Sequence, residues 1–361
     1  MPEPRSPRSA PDGAGARILI TGAAGFIGFH TARRLLDDGA QVFGVDNLND
    51  YYDPGLKQAR LALLARTEGF AFRRADIVDA PQLMDIVADF RPTAVIHLAA
   101  QPGVRHSLDN PSAYVSANLS GFLNILEACR HHPVKHLIYA SSSSVYGANG
   151  KAPFSEHDRA DHPVSLYAAT KRANELMAHS YAHLFKVPST GLRFFTVYGP
   201  WGRPDMAYYK FTRAICRGEP IELYNEGRMQ RDFTYIDDVV EAIAALVDRP
   251  ARPDPDFDAN RPDPAIGAAP YRIYNVGNRN PVTLDRFVAA IEAALGRKAL
   301  RRLLPMQPGD LPRTFADIHD LSAAIGFAPG TSIEDGVHRF VAWYCEYAGE
   351  PALNPAGPHR V

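Results

Sequence analysis

The stretch T-G-A-A-G-F-I-G at 21–28 constrains this chain more than any other. It joins an apolar run, ARILIT at 16–21, to a helical pattern over 26–38. Gly22 permits a tight turn, Gly25 lets the backbone approach a diphosphate, and Gly28 lets the following helix pack closely on its strand. The amides that open the helix, at Phe26 and Ile27, offer donors and the positive end of the helix dipole to phosphate. The spacing G-x-x-G-x-x-G is one residue longer at the front than the commonest dinucleotide fingerprint. Three glycines in seven residues can be an ordinary turn; the position between the first strand and the first helix is what gives them meaning.

The remaining pattern agrees with that context. QVFGV (41–45), TAVIHL (93–98), HLIYA (136–140) and TGLRFF (190–195) are short, nearly continuous apolar runs, as parallel strands covered on both faces should be. Helical patterns at 81–90, 111–131 and 166–185 alternate with them, which predicts an α/β fold with a Rossmann-type, doubly wound parallel sheet over 16–195. Beyond about residue 200, helical pieces (206–217, 236–248, 284–296, 333–347) mix with short strands (221–224, 271–276). The expectation is a smaller mixed α/β C-terminal substrate domain from 196–231 and 271–350, with 232–248 returning to the first domain. The Pro- and Asp-rich stretch 249–270 reads as a surface loop, residues 1–15 as a disordered tail with no apolar signal-peptide core. No internal repeat is present.

Composition excludes several function classes. A net charge of −1 gives no basic footprint for nucleic acid or a membrane surface. No apolar run approaches the ~20 residues of a membrane span. Three widely spaced cysteines (Cys129, Cys216, Cys345) argue against a disulfide framework and fit a reducing cytoplasm. The thirteen histidines show no ligand spacing, so no metal is expected.

The second apolar run ends in Asp46-Asn47. An acid there accepts hydrogen bonds from an adenosine ribose and repels a 2′-phosphate, which favours NAD over NADP; the plainer reading is a turn cap. Arg33 and Arg34 could be argued toward NADP but fit the outer face of the helix. Asp76 and Ile77 are expected at the adenine, and Leu98, Ala99 and Ala100 at a strand end beside the cofactor. Y-A-A-T-K puts Tyr167 and Lys171 at i and i+4 on one helix face. An ammonium beside a phenol favours the phenolate, so a lowered pKa and a general-base role are expected of Tyr167. The alternative is an ordinary surface pair.

TGAAGFIGFH, VIHLAAQPGVRHSLDNP, YASSSSVYG, YAATKRANE, LRFFTVYGPWGRPDMA, QRDFTYIDD and MQPGDLPRTFAD together resemble the extended short-chain dehydrogenases that act on nucleotide sugars. Within them AAQPGVR and GPWGRPDMA are most similar to the UDP-glucuronate 4-epimerase subgroup. The resemblance runs from Arg17 to about Tyr347. It implies an NAD-dependent isomerase that interconverts UDP-glucuronate and UDP-galacturonate through a transient 4-keto sugar. A homodimer serving carbohydrate metabolism and polysaccharide biosynthesis is implied as well. Carried over residue by residue, Tyr167 moves the O4 proton, Lys171 tunes it and holds the ribose, Ser142 bridges O4 and the tyrosine, and Ser144 supports it. Asn118 and Arg231 fall near the diphosphate and Asp310 at the uridine ribose. Gln307 stands where related epimerases carry an arginine, and Arg105 is the candidate to replace that contact.

An oxidised glucuronate is a β-keto acid that loses CO2 readily, so its carboxylate has to be held. Arg203 is the candidate clamp and Thr196 can add a hydroxyl; a structural arginine at a Pro-rich turn is the alternative. Ser143 is either a substrate contact or, like Ser141, a turn residue with no chemistry. Relatives that eliminate water or decarboxylate carry Asp or Glu at the positions of Ser143 and Ser144, which disfavours those reactions here. His106 is expected to be structural. The stripe Phe122, Ile125, Leu126, Cys129 is expected at a four-helix dimer interface, unless it packs only on its own sheet. The competing functions are a 4-epimerase of a neutral or N-acetylated UDP-hexose, a UDP-glucuronate decarboxylase, and a silent NAD-binding scaffold.

Overall fold

A computed structural model describes residues 15–306 and 313–350. In chain order the elements are β1 (Arg17–Thr21), α1 (Phe26–Asp37), β2 (Gln41–Asp46), α2 (Pro54–Leu64), β3 (Phe70–Arg74), α3 (Ala80–Phe90), β4 (Ala94–His97), the single turns α4 (His106–Asp109) and α5 (Pro111–Tyr114), α6 (Gly121–His131), β5 (His136–Ser142) and α7 (Leu166–Phe185). Then come β6 (Ser189–Phe194), β7 (Thr196–Tyr198), α8 (Ala207–Arg217), β8 (Pro220–Leu223), β9 (Gln230–Tyr235), α9 (Ile236–Val247), β10 (Tyr271–Val276), β11 (Pro281–Thr283), α10 (Leu284–Leu295), β12 (Leu300–Leu303), α11 (His319–Ile325) and α12 (Ile333–Ala348).

Seven parallel strands in the order β10-β6-β5-β4-β1-β2-β3 form the large sheet. Its direction of growth reverses between β1 and β4, which opens a crevice at the carboxyl ends of those strands. β10 was expected with the smaller domain; it instead pairs with β6 as the last strand of the large sheet. α9 packs on α1. The smaller lobe holds the sheets β11-β9-β7 and β12-β8.

Helix ends follow from local chemistry. Asp53, Asp79, Ser165, Thr283 and Ser332 each accept a backbone N–H at the start of α2, α3, α7, α10 and α12. The pattern at 111–131 is helical throughout, as expected, but not uniformly α-helical. The chain passes from α5 through a π-helical stretch at Val115–Ser120 into α6. A π turn frees a carbonyl from the ladder, and Asn174 of α7 fills that of Asn118 at 2.6 Å. Phe122, Ile125, Leu126 and Cys129 are buried against Leu19, Val95 and Leu137 of the chain's own sheet. Among the described residues, no helix is long and apolar enough to cross a membrane.

α7 is tied down by a buried pair. Arg193 of β6 donates from Nε and Nη2 to Glu175 at 2.8 and 2.9 Å, both side chains being 0% exposed. Ser141 and Arg172 supply two further donors, at 2.6 and 2.8 Å. Burial pushes the Glu175 carboxyl up, but the charge and hydrogen bonds of Arg193, with Arg172 and Ser141, more than offset this and hold it below its ordinary value. Glu175→Gln leaves the buried Arg193 without its counter-charge, Arg172 keeping only Asp161 at 3.7 Å, and should cost about 3 kcal/mol in urea unfolding at neutral pH. Because the folded-state pKa is depressed, the stabilisation is present above the ordinary value of 4.5 and lost as pH falls below it. The gap between variant and wild type should therefore narrow in acid. A loss under about 1 kcal/mol at neutral pH contradicts the assignment.

Candidate active site

An open cleft of about 1360 Å³ lies over the carboxyl ends of β1, β2, β4, β5 and β6. Gly22, Gly25, Phe26, Ile27 and Gly28 form one wall. Gly22 sits at φ +73°, and a Cβ there would stand 2.7 Å from the Ala99 amide nitrogen. A Cβ on Gly28 would stand 2.1 Å from the Gly22 carbonyl. No larger residue fits either place, so the glycines hold the turn open to the cleft and the helix against the strand. Gly25 caps α1 without a side chain, leaving the first-turn amides at the cleft wall.

Asp46, Asn47, Asp76, Ile77, Leu98, Ala99 and Ala100 line the same cleft. Asp46 also braces the loop, accepting from the amides of Ala24 at 3.2 Å and Leu48 at 2.8 Å. Asn47 donates to Asp76 at 2.9 Å. Sequence reasoning missed α2, whose buried face carries Lys57 and Arg60 beside Leu56 and Leu64. Lys57 lies 3.6 Å from Asp46 and donates to Asn49 at 2.8 Å. Arg60 donates to the Ala24 carbonyl at 2.8 Å, to the Tyr52 hydroxyl at 2.7 Å and to the Trp201 carbonyl at 2.6 Å. The signal available was a pair of cations three residues apart beginning three residues after a Pro-started turn.

Ser142, Tyr167 and Lys171 meet on the far wall. Ser141 and Ser142 end β5, and Ser143–Tyr146 form a 3-10 turn. Ser142 shares the cleft wall with Tyr167, whose pKa its side chain acts to lower, and accepts the Ser144 amide at 3.2 Å. Lys171 is buried and donates to the Ala140 carbonyl at 2.9 Å. Tyr114 packs edge-on to Tyr167 at 6.2 Å and donates to the carbonyls of Pro102 and Gly103, which fixes the AAQPG segment above it.

The expected substrate contacts are placed less uniformly. Arg203 lines the cleft, but its Nε and Nη2 face Asp205 at 3.0 and 2.5 Å. Among the described residues the cleft lining does not include Ser143, Ser144, Thr196, Arg105, Asn118 or Arg231. Asn118 is buried with its amide spent on protein: it accepts from Gln101, and donates to the Gln101 carbonyl and to Thr170, at 2.8, 3.1 and 3.1 Å. It shapes the loop at Gln101 and Pro102, which themselves line the cleft. Arg105 stacks on Tyr224 of the smaller lobe at 4.7 Å, and Arg231 lies on β9. Asp310 and Gln307 lie outside the described residues. Also among those residues, no group of three or more His, Cys, Asp or Glu is placed to hold a metal ion.

The profile of the NAD dependent epimerase/dehydratase family matches residues 18–277. This chain belongs to that family. It is 54% identical over 329 residues to a probable UDP-glucuronate 4-epimerase of Rhizobium meliloti, covering 91% of this chain and 96% of that one. It is 47% identical over 343 residues to UDP-glucuronate 4-epimerase 1 of Arabidopsis thaliana, covering 93% and 78%. The crystal structure of UDP-glucuronic acid 4-epimerase from Bacillus cereus, in complex with UDP-glucuronic acid and NAD, superposes with a TM-score of 0.80 at 32% identity, covering 91% of this chain and 99% of that one.

In this epimerase/dehydratase fold the electrostatics of the Tyr–Lys pair differ from the sequence expectation. Burial raises the Tyr167 pKa above 10.0, against the opposing effects of Ser142 and Arg203. Burial pulls Lys171 down to about 8, with Glu175 opposing. Desolvation outweighs the partners because Lys171 spends its nearest hydrogen bond on a carbonyl rather than on the phenol. In protein freed of dinucleotide, the tyrosinate difference spectrum of wild type minus Tyr167→Phe should show this phenolate only above pH 10. A phenolate forming below pH 8 contradicts it.

Proposed function

We infer that the chain interconverts UDP-glucuronate and UDP-galacturonate by oxidation and re-reduction at C4, with NAD as the retained cofactor. The observation that carries the reading is that one cleft is lined by the glycine loop, Asp46, Ser142, Tyr167, Lys171 and Arg203. The relatives and the structural neighbour named above support the choice of sugar. The cradle that a Cβ would fill at Gly22 and Gly28, with the α1 amides behind it, fits a dinucleotide diphosphate. The Asp46 carboxylate suits a ribose diol and disfavours a 2′-phosphate. The chemistry a bound NAD would supply is reversible hydride acceptance at C4.

Tyr167 takes the O4 proton and gives it back, with Ser142 bridging the two oxygens. Ser144 acts through Ser142, whose hydroxyl accepts its amide. Lys171 supplies positive charge behind the tyrosine and a donor for the nicotinamide ribose. Arg203 brings a guanidinium to the cleft, where it would hold a glucuronyl carboxylate out of the decarboxylating geometry; Ser143 follows cleft-lining Ser142, and Thr196 stands between cleft-lining Phe195 and Val197. The family resemblance supports Arg105, Asn118 and Arg231 on the diphosphate side, Asn118 through the loop it braces, and Asp310 at the uridine ribose. Exposed Leu123 on α6 and Leu176 and Leu184 on α7, the last two 55% and 65% exposed, support a homodimer through the outer face of these helices. The free thiols of Cys129, Cys216 and Cys345 fit a cytoplasmic location.

Purified protein incubated with UDP-glucuronate and no added NAD should yield UDP-galacturonate, resolved by NMR. A UDP-pentose with CO2, or turnover only of UDP-glucose or UDP-N-acetylglucosamine, would falsify the reading. Tyr167→Phe should lose at least about 10²-fold in rate while keeping NAD. Arg203→Ala should let UDP-pentose appear beside the epimer.

A further inference from the structure

The fork of Arg203 is filled by a carboxylate from its own loop. Asp205 takes both donors of one guanidinium edge, a geometry that fits a carboxylate and rejects most other partners. The loop is braced on all sides. Its Arg203 amide donates to the Tyr208 hydroxyl at 3.0 Å, Arg60 holds the Trp201 carbonyl, and His30 reaches the Pro200 carbonyl at 2.9 Å. Tyr51, from the loop after β2, donates to Asp205 at 3.2 Å, and its ring lies 5.9 Å from the guanidinium carbon. Tyr51, Arg203 and Tyr208 all line the cleft that holds Tyr167. A guanidinium–carboxylate pair carries no net charge. An acidic sugar entering this cleft therefore meets a dipole, and its carboxylate competes with Asp205 for the same donors.

We propose that Asp205 is a specificity-determining residue, the built-in counter-ion that sets how strongly Arg203 favours an acidic over a neutral UDP-sugar. Tyr51 is its positioning residue. The proposal rests on the reading of the substrate as UDP-glucuronate. Asp205 masks the charge until a competing carboxylate arrives, and it keeps the guanidinium ordered at the cleft wall meanwhile.

Titration calorimetry of UDP-glucuronate and UDP-glucose into the NAD-loaded protein tests this. Asp205→Asn keeps the size and one acceptor but removes the charge. Its affinity for UDP-glucuronate should rise about five- to tenfold, with UDP-glucose unchanged within about twofold. The gain should shrink in high salt. The acid limb of the kcat profile should also move to lower pH, because an unmasked Arg203 favours the Tyr167 phenolate; a purely structural role moves neither. Tyr51→Phe removes one hydrogen bond to Asp205 and should shift the affinity ratio the same way by a smaller factor, and it decides the matter if Asp205→Asn does not fold. An unchanged or lower acid-to-neutral ratio in the folded variant overturns the proposal. A wild type that binds UDP-glucose but not UDP-glucuronate overturns the substrate reading, and this proposal with it.

Discussion

The buried pair of Glu175 and Arg193 is the interaction on which the catalytic wall depends. A buried carboxylate is tolerable only when its charge and lone pairs are matched. Glu175 has Arg193 on both oxygens, with Ser141 on one and Arg172 on the other. The consequence is geometric. Glu175 stands one turn after Lys171 and two after Tyr167 on α7, while Ser141 and Arg193 belong to the adjacent strands β5 and β6. One carboxylate thus fixes the rotation of α7 about its axis and its height over the strand ends. It also supplies the negative charge that opposes the fall in the Lys171 pKa.

The opposite wall is fixed by a second buried charge. Arg60 ties the glycine loop, through the Ala24 carbonyl, to the loop that carries Arg203, through the Trp201 carbonyl. The glycine loop and the Arg203 loop are thus two hydrogen bonds apart. The two walls meet where the sheet reverses its direction of growth, and that topology leaves backbone amides and strand-end side chains facing one crevice.

The sequence displays the parts of this site whose chemistry is local. The glycine loop, Asp46 and the Tyr167–Lys171 spacing are legible because turn, strand end and i,i+4 geometry are settled within a few residues. Whatever depends on a distant partner is not. α2 hides because its buried face carries Lys57 and Arg60, which blurs the apolar periodicity that marks helices. β10 reads as an isolated short strand until the large sheet supplies β6 beside it. Asn118 looks like a ligand contact by position, yet a π turn faces it inward onto Gln101. The Tyr167 pKa goes the other way because spacing reveals the ammonium but not the desolvation around it.

The four serines at 141–144 show how much one short polar run divides. Ser141 points back to Glu175 and belongs to the scaffold. Ser142 lines the cleft with Tyr167, whose pKa it acts to lower. Ser143 and Ser144 open the 3-10 turn, and the Ser144 amide orients the Ser142 hydroxyl. A carboxylate at 143 or 144, one or two residues after Ser142, would add negative charge on the tyrosine's side of the cleft and raise its pKa further. Hydroxyls at these positions spare Tyr167 another anion.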